Sequence, residues 1–139
     1  MKLEGRPYCL GRETITFKES ANPFINEAFT KLAADGHFYA IEIHGDHVEE
    51  APPGARVVGT SKATAVEMYE VGKSVLCTQF HPEFNAFYME KKLLRDEAVS
   101  LKSRYPNIDE ILEASVKQMN ETRCDNLSLN TIFKTYLKS

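Results

Sequence analysis

Val75-Leu76-Cys77-Thr78-Gln79-Phe80-His81-Pro82-Glu83-Phe84 decides how the rest of the chain is read. The continuous apolar run Val75-Leu76-Cys77 predicts a central strand, buried on both faces, within a strand from Ser74 to Gln79. That strand ends at Phe80-His81-Pro82-Glu83. An imidazole therefore stands just past a carboxyl end, where open α/β sheets place their ligands. Pro82 biases His81 away from helix and toward extended backbone. With one residue between them, His81 and Glu83 project the same way while the segment stays extended. A carboxylate beside an imidazole fixes its tautomer and stabilises the imidazolium. A histidine so held serves as base to a thiol or hydroxyl, then as acid to a leaving amine. The same residues also fit a plain strand-to-helix turn, in which Pro82 and Glu83 open the next helix and its dipole favours Glu83. Residue chemistry alone weights this plainer reading more heavily.

Upstream, Glu13-Thr14-Ile15-Thr16-Phe17 alternates polar and apolar and predicts a short strand. Asn22-Pro23 supplies a cap and a first-turn proline for a helix marked by Phe24, Ile25, Ala28, Phe29 and Leu32 and stopped by Gly36. Residues 38–43 alternate again: Tyr39, Ile41 and Ile43 share one face while Glu42 points away, as in a half-buried strand. Arg56–Ser61 and Thr64–Val71 predict two further strands, the second joined to Ser74–Gln79 by a hairpin at Gly72-Lys73. Downstream of Asn85 the pattern is helical. Leu93, Leu94, Ala98 and Leu101 mark one helix, which Pro106-Asn107 breaks. Ile108, Ile111, Leu112, Val116 and Met119 mark a second, and Leu129, Ile132, Phe133, Tyr136 and Leu137 a third. The order predicts an α/β fold, a mixed sheet covered by helices, with a helical tail packed on it.

The chain has 139 residues, 42% hydrophobic and 27% charged, which is room for one domain and one core. A net charge of -3 excludes a basic nucleic-acid footprint. No apolar run approaches the roughly 20 residues that span a bilayer. Met1 to Pro7 lacks an apolar signal core. Three widely spaced cysteines fit neither a disulfide framework nor a cysteine-type zinc site, so the expected setting is reducing and cytoplasmic. Cys77 reads as a small hydrophobe inside a buried strand and Cys124 as an exposed tail residue. Tyr8-Cys9-Leu10-Gly11 superficially resembles a nucleophile elbow, but lacks the buried strand before it and the helix after it. No convincing nucleophile is present. His44-Gly45-Asp46-His47-Val48 follows the second predicted strand. His44, Asp46 and His47, with His81, could ligate a metal, but a polar loop beside the site is preferred. No metal and no cofactor are expected.

Taken in order, His44-x-Asp46-x-Val48, Pro52-Pro53-Gly54-Ala55, Ser61, Glu67 and Gln79-Phe80-His81-Pro82-Glu83-Phe84 resemble the C-terminal half of a class I glutamine amidotransferase. The ending, with Phe133-Lys134-x-Tyr136-Leu137-Lys138, is similar to the γ-glutamyl peptidase-like branch. Leu3-Glu4-Gly5 resembles the glycine turn after the family's nucleophile helix. The resemblance implies the C-terminal half of a flavodoxin-like mixed sheet, with residues 1–104 a partial amidotransferase-like domain and 105–139 a C-terminal helical tail. It also implies a Cys-His-Glu triad that hydrolyses a γ-glutamyl amide through a thioester. His81 would be the general base and acid, Glu83 its orienting partner, and His44 and Asp46 a loop beside the substrate. The family's nucleophile lies on an upstream Gly-x-Cys-x-Gly turn that this sequence does not contain. The oxyanion-hole glycines, a large contributor to acyl transfer, are missing with it. The chain is thus expected to be inactive alone, with glutamine or a γ-glutamyl peptide as family substrate. An N-terminal half, a partner subunit or a second copy of the chain would be its protein partner. The alternative is a non-catalytic assembly module that uses an exposed sheet edge.

Overall fold

The computed structural model describes residues 8–139, apart from the side chains of residues 92–94 and 97. The expectations resting on Met1 to Pro7, on Leu3-Glu4-Gly5 and on the Leu93 and Leu94 side chains lie outside the described residues. The fold is α/β, as expected. Five strands, β1 (Cys9–Phe17), β2 (His37–His44), β3 (Arg56–Thr60), β4 (Met68–Val71) and β5 (Val75–Thr78), form one sheet in the order β2-β1-β3-β4-β5. Every pairing among them is antiparallel. The helices are α1 (Pro23–Leu32), α2 (Ala86–Tyr88), α3 (Leu94–Leu101), α4 (Ile108–Glu121) and α5 (Asn126–Lys138), with a π-helical turn at Met89–Leu93. No helix among the described residues is long and apolar enough to cross a membrane.

Helix α1 begins as its sequence dictates: Asn22 Oδ1 accepts the Ile25 N–H at 3.1 Å, and Pro23 occupies the first turn. Its apolar stripe, Ile25 and Phe29, packs with Ile15, Phe38, Val58, Met68, Phe80 and Leu129 in one core. The Phe29 ring meets Phe17, Phe38 and Phe133 at centroid separations of 5.2–6.2 Å. Phe29→Leu keeps most of the volume and loses these three ring contacts. It is expected to cost about 1–2 kcal/mol of unfolding free energy, read by urea titration. A second core, Ile41, Met89, Leu101, Ile108, Leu112 and Met119, lies under α3 and α4. Where α4 crosses β1, Gly11 has φ +100°, and a Cβ built there would stand 3.0 Å from Ser115 Cβ. Only glycine meets both conditions.

Two strand assignments change. Among the described residues β5 is an edge strand that pairs only with β4, and Val75 at its start is 48% exposed. Its apolar run is covered on one side only, where Leu76 packs on the first core, so Cys77 is half-buried and not central. β2 is buried on both faces. Ile41 and Ile43 face α4, whereas Phe38, Ala40 and Glu42 face the concave side of the curled sheet, and Glu42 is 0% exposed. The strand expected over Thr64–Val71 is confined to Met68–Val71, because residues 64–67 turn to bring Glu67 inward. Cys124, expected to be exposed, is half-buried against the second core.

Candidate functional site

His81 is positioned by the backbone. After β5, the Gln79 N–H donates to the Glu67 carbonyl and the His81 N–H to the Ile41 carbonyl, both at 2.9 Å. The chain leaving one edge of the sheet is thereby bonded to β2 at the other edge, which closes the curl. Asn126, the first residue of α5 and 4% exposed, completes this junction. Its Nδ2 donates to the His81 carbonyl at 2.7 Å and to the Phe84 carbonyl at 2.6 Å, while its Oδ1 accepts the Ile41 N–H at 3.0 Å. The neighbouring Asp125 pairs with both the N–H and the carbonyl of Tyr39. The free edge of β2 is thus occupied over Tyr39 and Ile41. Nothing in the sequence singled out Asn126. A polar residue at a helix start reads as a cap, and here it forms no side-chain cap to its own helix.

The His81 side chain faces outward, one-third exposed, with Nδ1 2.8 Å from Glu83 Oε1. Its ring stacks on Phe84 at a centroid separation of 4.4 Å. A carboxylate at Nδ1 favours the proton there and leaves Nε2 as the nitrogen able to accept one. A cavity of about 290 Å³ beside this pair is lined by Pro82, Glu83, Asn126, Asn130 and Lys134 among others.

His44, Asp46 and His47 are placed differently from each other. His44 is the last residue of β2, paired directly across the sheet with Cys9 on β1. Its Nδ1–H donates to the backbone carbonyl of Asp46 at 2.8 Å, and its Nε2 is 3.2 Å from Glu42 Oε2. The Asp46 residue itself is exposed. His47 turns back so that its ring meets His44 at a centroid separation of 5.0 Å. Cys9, Glu42 and Glu67, none of them chosen from the sequence as site residues, complete the group. Glu67 Oε1 accepts the Ser61 hydroxyl at 2.6 Å and its carboxyl faces Glu42. Burial raises the pKa of Glu42, and burial together with Glu42 pushes Glu67 up to about 8. Burial and the nearby Glu42 push the Cys9 thiol up to about 12. Cys9, His44 and Glu42 are the residue types of a thiol triad, but a neutral buried thiol is a poor nucleophile. Both nitrogens of His44 also have partners other than sulfur.

The profile of the glutamine amidotransferase class-I family matches residues 9–101. Gamma-glutamyl peptidase 2 of Arabidopsis thaliana is 32% identical over 98 residues, covering 70% of this chain and 38% of that protein. Gamma-glutamyl peptidase 4 of the same plant is 35% identical over 82 residues, 59% of this chain and 31% of that protein. The chain therefore spans about a third of the length of the curated relatives it matches. A glutamine amidotransferase structure from Thermotoga maritima superposes with a TM-score of 0.67 at 20% identity, over 97% of this chain and 53% of that one.

Proposed function

Because this chain belongs to the class I glutamine amidotransferase family, we propose that it carries the base-and-orienter half of a γ-glutamyl amide hydrolase. His81 is the proton carrier and Glu83 the residue that holds its ring. His44 and Asp46 border the substrate. The observation that carries the reading is the 2.8 Å His81–Glu83 pair on an outward-facing ring at the exit of β5. In this reading, Nε2 takes the proton of a thiol supplied by another polypeptide segment. That thiol attacks the γ-glutamyl carbonyl carbon, and His81 returns the proton to the departing amine. Water then attacks the thioester with the same nitrogen as base. Glutamine and γ-glutamyl peptides are the substrate class, and no bound cofactor takes part.

In this reading the thiol comes from outside the described residues, and the chain is inactive by itself. Glutaminase and γ-glutamyl peptidase assays of the purified chain are expected to give buffer rates. Turnover that disappears in His81→Ala would overturn the proposed inactivity. Turnover that disappears in Cys9→Ser would transfer the nucleophile's role to Cys9.

A second reading, an assembly module, is favoured by the position of β5. Its outer edge is unpaired among the described residues, with Val71 41% and Val75 48% exposed at the β4–β5 hairpin. The free edge of β2 does not serve here, since Asp125, Asn126 and His81 occupy it. Light scattering after size exclusion separates the two readings. A monomer at every concentration would count against the assembly module.

A further inference from the structure

We propose that Cys9, Glu42, His44 and His47 form a binding site for one divalent transition-metal ion of the zinc class, with Glu67 and Asp46 supporting its ligands. The site shares His44 and Asp46 with the substrate border proposed above, but takes no ligand from His81 or Glu83.

Ligand atoms of Cys9, His44 and His47 lie within 4.8 Å of one another, and so do those of Glu42, His44 and Glu67. In a tetrahedral zinc site, with bonds of about 2.0–2.3 Å, ligand atoms stand roughly 3.3–3.7 Å apart. Each trio needs to close by up to about an ångström, which side-chain rotation supplies, and the two meet at His44. One thiolate, two imidazoles and a carboxylate form a mixed S/N/O set that suits zinc over magnesium or calcium.

Two further observations point the same way. The His44 Nδ1–H is fixed on the Asp46 carbonyl, which directs the Nε2 lone pair into the cluster. Metal-bound histidines are oriented by this kind of outer hydrogen bond. At 3.2 Å from Glu42 Oε2, that lone pair faces a second acceptor, an arrangement that needs a proton or a cation between the two. The carboxyls of Glu42 and Glu67, 0% and 1% exposed, leave Glu42 Oε1 and Glu67 Oε2 without a hydrogen-bond partner among the described residues. Among the described residues, none of the interactions that shift these two carboxyls comes from a lysine or arginine. A proton on Glu67 satisfies the contact between the carboxyls, and Ser61 holds the other Glu67 oxygen. Glu42 Oε2 then stands 3.2 Å from His44, the imidazole it shares with Cys9 and His47. A dication there neutralises the buried carboxylate and displaces the thiol proton to solvent. The structural effect would be to tie the start of β1 to the end of β2 and to the turn that follows it.

The test uses the full chain, stripped by chelator and dialysed, then titrated with Co²⁺ and, against a chromogenic chelator, with Zn²⁺. One equivalent of Co²⁺ is expected to give tetrahedral visible bands and a near-ultraviolet thiolate charge-transfer band. Cys9→Ser should remove the charge-transfer band and weaken Zn²⁺ binding at least tenfold, while Cys77→Ser leaves both unchanged. The protein has three cysteines, so a Cys77→Ser/Cys124→Ser double variant retains Cys9 alone. Its charge-transfer band must then come from Cys9, which keeps the question open to test even where Cys9→Ser does not fold. Absence of stoichiometric binding, a spectrum without thiolate character, or loss of the band in the double variant would each overturn the proposal.

Discussion

In metal-free buffer the protein is expected to lose stability as the pH rises from about 5 to about 8, and Glu67→Gln to remove most of that loss. Glu67 is 1% exposed, and burial beside Glu42 lifts its pKa from 4.5 to about 8. The folded protein therefore keeps a proton that the unfolded chain has already released above its ordinary carboxylate range. Stability falls with pH wherever the folded state binds more protons. The window opens near pH 4.5 and closes near pH 8. Each pH unit is worth about 1.4 kcal/mol, so the whole interval amounts to at most about 5 kcal/mol. Glu42 is raised as well, which gives the same sign, and the two carboxyls titrate as a pair. A glutamine at position 67 offers an N–H₂ to Glu42 and a carbonyl to Ser61, the same bonds without an ionisable proton. Urea titrations of both proteins at several pH values, with chelator present, read the slope. An equal pH dependence in Glu67→Gln would show that the pair with Glu42 is not its source.

The sequence made some of this legible, and physics explains which parts. Helix α1 is announced by local signals, Asn22-Pro23 at its start and a Phe/Ile stripe behind, and it forms where those signals place it. The α/β class and the His81–Glu83 adjacency follow from short-range pattern too. The position of β5 does not, because an apolar run such as Val75-Leu76-Cys77 reports contact with apolar atoms and not how many strands flank it. Here a single covered face and the return of the chain to β2 are enough. Glu42 was misplaced for a related reason. Alternation separates the two faces of β2, yet it cannot reveal that the sheet curls and buries the second face as well. The cluster around His44 was the least accessible feature. It joins Cys9, on a strand expected to begin only at Glu13, with Glu67, on a turn expected to be strand. No spacing rule links residues 9, 42, 44, 47 and 67.

Asn126→Asp is expected to cost on the order of 4 kcal/mol or more of unfolding free energy and to displace His81. The wild-type amide donates to two carbonyls, those of His81 and Phe84, and accepts the Ile41 N–H, all within a residue that is 4% exposed. These partners fix the amide orientation, since both carbonyls demand N–H₂. The carboxylate has the same shape but no donor. Ionised, it sets an anion against two carbonyl oxygens. Protonated, it satisfies one of them and leaves the other bare. A buried carbonyl without a donor costs about 1–3 kcal/mol, and a buried unpaired charge costs more. The damage falls on the segment where the exit of β5 is bonded to β2, so the His81 ring should move off Phe84 and lose its fixed approach to Glu83. Two readings are needed. Denaturant titration gives the stability loss, expected to shrink below the carboxyl's pKa as one donor is restored. The ¹⁵N shifts of the His81 imidazole report whether Nδ1 keeps its proton on Glu83. A variant as stable as the wild type, with an unchanged His81 tautomer, would mean that α5 does not hold the candidate site in place. The inference that this helix, and not the strand alone, aims the imidazole would then fail.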